Sequence, residues 1–163
     1  MIGLILFILS EAAPADYLTA IKEVLPSAKK VGIMCNMMAN VDALQKIAQA
    51  ATQLGLAPFV GNVKALEDVP KAFESLSAQK VDVIWVFPDA TLKEAVAKKF
   101  ILEKATAAKI PIIGYDVDFV KEGAFLTVVK TNEVKYHVNM EVAKTLGITI
   151  PDAVKSKIVV EKE

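Results

Sequence analysis

Residues 81–87 read Val-Asp-Val-Ile-Trp-Val-Phe and stop abruptly at Pro88-Asp89-Ala90-Thr91. A run that is apolar at nearly every position, rather than at alternate ones, suits a strand buried on both faces, in the middle of a sheet covered by helices on each side. Asp89 then stands at the carboxyl end of that strand, where open α/β sheets place their ligands. The same grammar recurs at Ile110-Pro111-Ile112-Ile113-Gly114-Tyr115-Asp116, so two strands each deliver polar side chains to one edge.

The rest of the chain alternates in the same way. Pro14 opens a helix through Leu25 whose apolar positions Tyr17, Leu18, Ile21, Val24 and Leu25 share one face, and Pro26 stops it. Lys30–Cys35 reads as a second buried strand, followed by the loop Asn36–Asn40 and a helix from Val41 to Leu54 that Gly55 terminates. Ala57–Val63 is a short strand whose Pro58 argues for an edge position. A helix opening at Glu67-Asp68 runs to Gln79, and another spans Lys93 to Lys109. Then come a strand over Pro111–Gly114, a short acidic turn, a strand over Gly123–Val129, the alternating segment Lys135–Asn139, a helix over Met140–Leu146 and a last strand near Ile158–Val160. Alternation of this kind implies a mainly parallel sheet with right-handed crossovers, a three-layer α/β sandwich of flavodoxin-like type. With no linker, repeat or low-complexity tract, residues 1–163 are expected to form one domain. The opening Met1–Ser10 reads as a further buried strand rather than a signal peptide, because it lacks a basic leader and a good cleavage site.

Composition narrows the function. Hydrophobic residues make up 54% of the chain, above the usual share, yet no run reaches the roughly 18 to 20 residues that a membrane span needs. The excess is therefore core, or surface that meets a partner. Nineteen basic and nineteen acidic residues balance, and every basic residue is Lys. Arg is the preferred fork for phosphate and guanine edges, so its absence, with no basic patch, argues against nucleic-acid binding. One Cys (Cys35) and one His (His137) exclude an internal disulfide and provide no metal cluster.

The strand ends offer three chemical readings. Cys35 as a phosphate-handling nucleophile lacks the Gly-rich loop and the Arg that would cradle the anion, so a buried apolar role fits better. Asp89 as a phosphoacceptor resembles receiver domains, as does Lys130 after a late strand. That chemistry needs an acidic pair after the first strand to hold Mg²⁺, and Met34-Cys35-Asn36 has no acid there. As a general acid or base, Asp89 would need Asp116 as its partner. No nucleophile–base pair accompanies them, so no catalytic residue is assigned and no cofactor is expected. Asn36, Asn40, Asp89, Thr91, Tyr115 and Asp116 instead suit a hydrogen-bonding edge that orients a small polar ligand. A plainer role for Asp89 is to cap the helix beginning near Leu92. His137 and Trp85 read as ordinary strand and core residues, and Met34, Met37 and Met38 as gap fillers or a soft ligand floor.

Several segments together resemble the bacterial ABC-transporter substrate-binding proteins of the amino-acid and tryptophan-binding type. They are Ala20–Ile33, Val81–Thr91, Lys109–Tyr115, Phe119–Phe125 and Ala143–Pro151, in that order. The resemblance implies a type I periplasmic-binding-protein lobe, the second of two, here without the first lobe or the segment that returns to it after Leu126–Val129. It implies an extracytoplasmic, ligand-binding, non-enzymatic role, with a transporter permease as partner. The ligand edge would comprise Asn36, Asp89 with Thr91, and Tyr115 with Asp116. The apolar surplus adds an expectation of self-association where a first lobe would dock. The alternatives left open are an interaction domain that kept the fold without a ligand and a small α/β enzyme.

Overall fold

A computed structural model describes residues 12–162, and its elements follow the alternation of the sequence closely. Helix α1 (Pro14–Val24) leads to strand β1 (Lys30–Cys35), then to helix α2 (Val41–Gln53) and strand β2 (Ala57–Asn62). Helix α3 (Asp68–Ala78) returns to strand β3 (Val83–Val86), whose four residues are all buried. Two helices follow, α4 (Ala90–Lys93) and α5 (Ala95–Ala108), then strand β4 (Ile112–Ile113), helix α6 (Val117–Glu122) and strand β5 (Leu126–Lys130). Strand β6 (Val134–Asn139), helix α7 (Met140–Leu146), a 3₁₀ segment (Asp152–Lys157) and strand β7 (Ile158–Glu161) complete the order. The strand expected over Met1–Ser10 lies outside the described residues.

The seven strands form one sheet in the order β2-β1-β3-β4-β5-β6-β7. Strands β1 to β5 are parallel, with Ile33 opposite Trp85 and Trp85 opposite Ile113. β2 takes the edge, as Pro58 requires. β3 lies between β1 and β4, and its alternation splits the core in two. Val83, Trp85 and Phe87 pack on one face under α1 and α2, while Ile84 and Val86 pack on the other with α3, α5 and α6.

Two features depart from the sequence reading. The helix expected from Lys93 to Lys109 is two helices, because Glu94 adopts an extended conformation (φ −64°, ψ 137°) between α4 and α5. The acidic turn after β4 is helix α6: the Asp116 carboxylate accepts from Phe119 N at 2.8 Å, and Gly123 ends the helix at φ +133°. The alternation is also broken once. β5 and β6 are joined by a short hairpin and run antiparallel, so the sheet is mainly parallel, as expected.

The far side of the sheet is fastened to the first helix. Tyr136 of β6 is 1% exposed, and its hydroxyl donates to Glu23 Oε2 of α1 at 2.6 Å. Lys157 Nζ donates to the same carboxylate at 3.1 and 3.2 Å. Asn139, also 1% exposed, caps α7 by accepting from Val142 N and donates its amide to the Val120 carbonyl.

Candidate functional site

Parallel strands with helical crossovers bring every β-to-α loop of β1 to β4 to the carboxyl edge of the sheet. A cleft of about 610 Å³ opens there, between α1 and the ends of β3, β4 and β5. It is roomier than two other hollows of 460 and 340 Å³ that lie away from these strand ends.

The floor of the cleft is aromatic. Trp85 lies on β3 and Phe87 just past its end, two residues on, so both pack on the α1 face. The Trp85 ring stacks on Tyr17 of α1 with centroids 4.9 Å apart and 18° between planes, and tilts against Phe87 at 5.0 Å. Such pairs contribute about 0.5 to 1.5 kcal/mol beyond the area they bury, which fixes α1 against the strand end. Thr127 of β5 is fully buried beside them; its hydroxyl donates to the Gly114 carbonyl at 2.8 Å and lies 3.4 Å from the Tyr17 hydroxyl.

The rim is polar. Asn40, Lys93, Tyr115, Asp116, Lys130 and Thr131 surround the opening. Lys130 pairs with Asp16 at 3.7 Å. Tyr115 stacks on Phe119 at 4.9 Å and donates its hydroxyl to the Leu92 carbonyl at 3.2 Å. Burial, then the charges of Asp116 and Glu122, pushes the Tyr115 phenol well above its ordinary value, so it is a neutral donor at physiological pH. Space for the Phe119 ring on which Tyr115 stacks depends on Gly114, where a Cβ would meet that ring at 2.9 Å.

Behind the rim, Asp89 organises the loop after β1. Its Oδ2 accepts from Asn36 N at 2.7 Å, and both carboxylate oxygens accept from Asn40 Nδ2 at 3.0 and 3.1 Å. Asn40 Nδ2 also donates to the Asn36 carbonyl at 2.8 Å, while Asn36 Oδ1 accepts from the amides of Met38 and Ala39. Asp89 occupies the position before α4, but its side chain accepts no bond from that helix. The capping role considered for it is therefore not what it does; it clamps the loop of the neighbouring strand. Cys35 sits just beneath, fully buried, and burial followed by the Asp89 charge pushes its thiol up to about 12. A thiol held protonated in this way is a core side chain, not a nucleophile.

Of the six edge residues expected from the sequence, Asn40, Tyr115 and Asp116 line the cleft. Asn36 and Asp89 hold Asn40 from behind, and Thr91 lies half-buried in α4, outside the lining. The aromatic floor was missed, since Trp85 was read as core only. The period of two along β3 gave the signal: Trp85 and the strand-end Phe87 share a face. Among the described residues no three His, Cys, Asp or Glu side chains gather to hold a metal ion, and no helix is long and apolar enough to cross a membrane.

Comparison with known proteins adds the family. The sequence profile described as ABC transporter substrate binding protein matches residues 9–136. A conserved domain protein from Vibrio cholerae is 25% identical with a TM-score of 0.78, covering 94% of this chain and 62% of that one. An ABC domain from Streptococcus pneumoniae, solved in complex with L-Trp, is 20% identical with a TM-score of 0.77, covering 91% and 61%. A ligand-free, open substrate binding protein with adhesive properties from Clostridium difficile is 23% identical with a TM-score of 0.70, covering 89% and 58%. This chain thus spans about three fifths of the length of each, and the last two likenesses are of fold alone. No curated protein matches the sequence.

Proposed function

We propose that this chain, which belongs to the ABC transporter substrate-binding protein family, holds a small amino-acid-like ligand in the cleft at the carboxyl edge of its sheet. The observation that carries this reading is the pairing of an aromatic floor with a polar rim in one cleft of about 610 Å³. Ligand pockets typically combine an apolar lining with a few placed polar groups, and this cleft has both. The apolar part of the ligand would lie against Trp85 and Phe87. Its polar groups would meet Asn40, Tyr115 and Asp116, with Asn36 and Asp89 holding the loop and Thr91 close by.

The role is binding rather than catalysis. The Cys35 thiol and the Tyr115 phenol are both held neutral, so neither supplies a nucleophile or a base. In the setting of the family, the bound solute would be handed to a transporter permease outside the cytoplasm. The chain would act as one domain equivalent to a single lobe of its longer relatives.

Trp85 is the only tryptophan of the chain, so its fluorescence reports on the cleft floor directly. The test is a titration of the full chain with a panel of amino acids, L-Trp excluded from the fluorescence arm, alongside thermal melts that include L-Trp. A ligand present at about a hundred times its dissociation constant adds close to 2.7 kcal/mol of stability. Saturable quenching with a matching rise in melting temperature is expected for at least one aromatic or branched amino acid. Flat melts and unchanged fluorescence across the whole panel would overturn the reading.

A further inference from the structure

We infer that the carboxyl edge of the sheet is a self-association surface on which a second copy of this chain sits about a two-fold axis. Seven large hydrophobic side chains are exposed among the described residues, and five of them belong to this one edge. Met37, Met38 and Val41 follow β1, Leu66 follows β2, and Val96 opens α5 after β3. β2, β1 and β3 are adjacent, so these side chains fall on neighbouring strand ends. Met38 is the most exposed, at 77%. Single exposed apolar residues are ordinary, but their concentration on one edge beside an open cleft marks an interface.

The charges on the same edge select the occupant. Among the charged residues that line the cleft, Lys130 is paired with Asp16, while Lys93 and Asp116 have no ion-pair partner among the described residues. One free cation and one free anion on a single face suit isologous pairing. A two-fold axis sets residue i of one copy against residue j of the other, and j against i. Lys93 of each copy would then meet the partner copy's Asp116, giving two reciprocal bridges around an apolar centre. The chain has no net charge, so no long-range repulsion opposes the pairing. Asp116 also serves the ligand in the proposed function, so the pairing is tested on the ligand-free chain, where its failure and that of the ligand reading are distinguishable.

The reciprocity gives a test that a generic sticky patch would not pass. Sedimentation of the full chain over a wide concentration range should show a monomer–dimer equilibrium. Lys93→Glu alone places two like-charge contacts in each dimer, and so does Asp116→Lys alone. Because each substitution acts twice, each should raise the dimer dissociation constant on the order of a hundredfold. An equimolar mixture of the two variants should regain the dimer, because both cross contacts are then of opposite sign. Asp116→Lys also removes the α6 cap, so Met38→Asp, at an exposed position, serves as a second disrupting variant, with circular dichroism confirming its fold. A wild-type chain that stays monomeric throughout, dimers indifferent to all three substitutions, or a mixture that fails to recover would each overturn the inference.

Discussion

The clamp formed by Asp89 makes a prediction that the structure allows to be worked through. Asp89→Ala removes the acceptor for two donors, Asn36 N at 2.7 Å and Asn40 Nδ2 at 3.0 and 3.1 Å. Hydrogen bonds to a charged group are worth about 1.5 to 3 kcal/mol each when the partner is left buried. The clamp is only partly buried, so water replaces part of each bond, and about 1 kcal/mol per donor is the appropriate figure. The expected loss is thus about 2 kcal/mol, or roughly 4 to 8 °C in melting temperature for a chain of this length. Asp89→Asn should cost about half as much. Its amide oxygen can still accept from Asn36 N, but its amide nitrogen faces another donor, and turning Asn40 would sacrifice the bond to the Asn36 carbonyl. Urea unfolding of the three proteins gives the stabilities, and amide hydrogen exchange at Asn36 locates the change. A loss under about 0.5 kcal/mol for Asp89→Ala, with Asn36 exchange unaltered, would refute the clamp. In the ligand assay the alanine variant should bind weakly because Asn40 is no longer held, while the core beneath remains folded.

The remaining expectations are narrower. The Cys35 thiol, pushed up to about 12 by burial and then Asp89, should resist an aromatic disulfide reagent at pH 8 in the native protein and react only at the rate of unfolding; a fast stoichiometric reaction would contradict this. Burial, then the bond to Glu23, raises the Tyr136 phenol above its unfolded value, so its contribution is full below about pH 10 and is lost as pH rises further. Tyr136→Phe should therefore lower stability by about 1 to 2 kcal/mol at pH 7 and flatten the alkaline limb of a pH–stability curve, measured by urea unfolding. Asn139→Ala strands both the Val142 amide and the Val120 carbonyl and should cost about 2 to 4 kcal/mol in the same assay, with Asn139→Asp intermediate because the cap survives.

Much of the fold is legible in the sequence because its signals are local. β3 announces itself by an unbroken apolar run, and the edge position of β2 by Pro58. The end of α2 is written in Gly55, which adopts φ +68°. The break at Glu94 is not legible, since Lys93-Glu94-Ala95 contains no residue that disfavours a helix. Helix α6 is not legible because three of its six residues are charged and it spans less than two turns, too short for periodicity to register. The reversal at β6 depends on pairing partners distant from it, and no local pattern encodes a strand's direction. At the site, sequence reasoning located the edge but not the partners within it. Asp89 was legible as a strand-end carboxylate, yet its acceptor role is fixed by a loop 53 residues earlier in the chain. Trp85 gave the opposite difficulty: a residue that is 4% exposed reads as core, although the face it buries is also the floor of the cleft.

The bond between Glu23 and Lys157 joins residues 134 positions apart. During synthesis at about 5 to 20 residues per second, Glu23 waits roughly 7 to 27 seconds before its cation emerges. Helix α1 carries Tyr17, the outer half of the aromatic floor, together with the apolar face of Leu18, Ile21 and Val24. The wall of the cleft is therefore translated well before its last fastening can form. In that interval the hydrogen bonds from Lys157 and Tyr136 to Glu23 are unmade, and the edge that α1 walls gains its final fastening only once both residues have emerged.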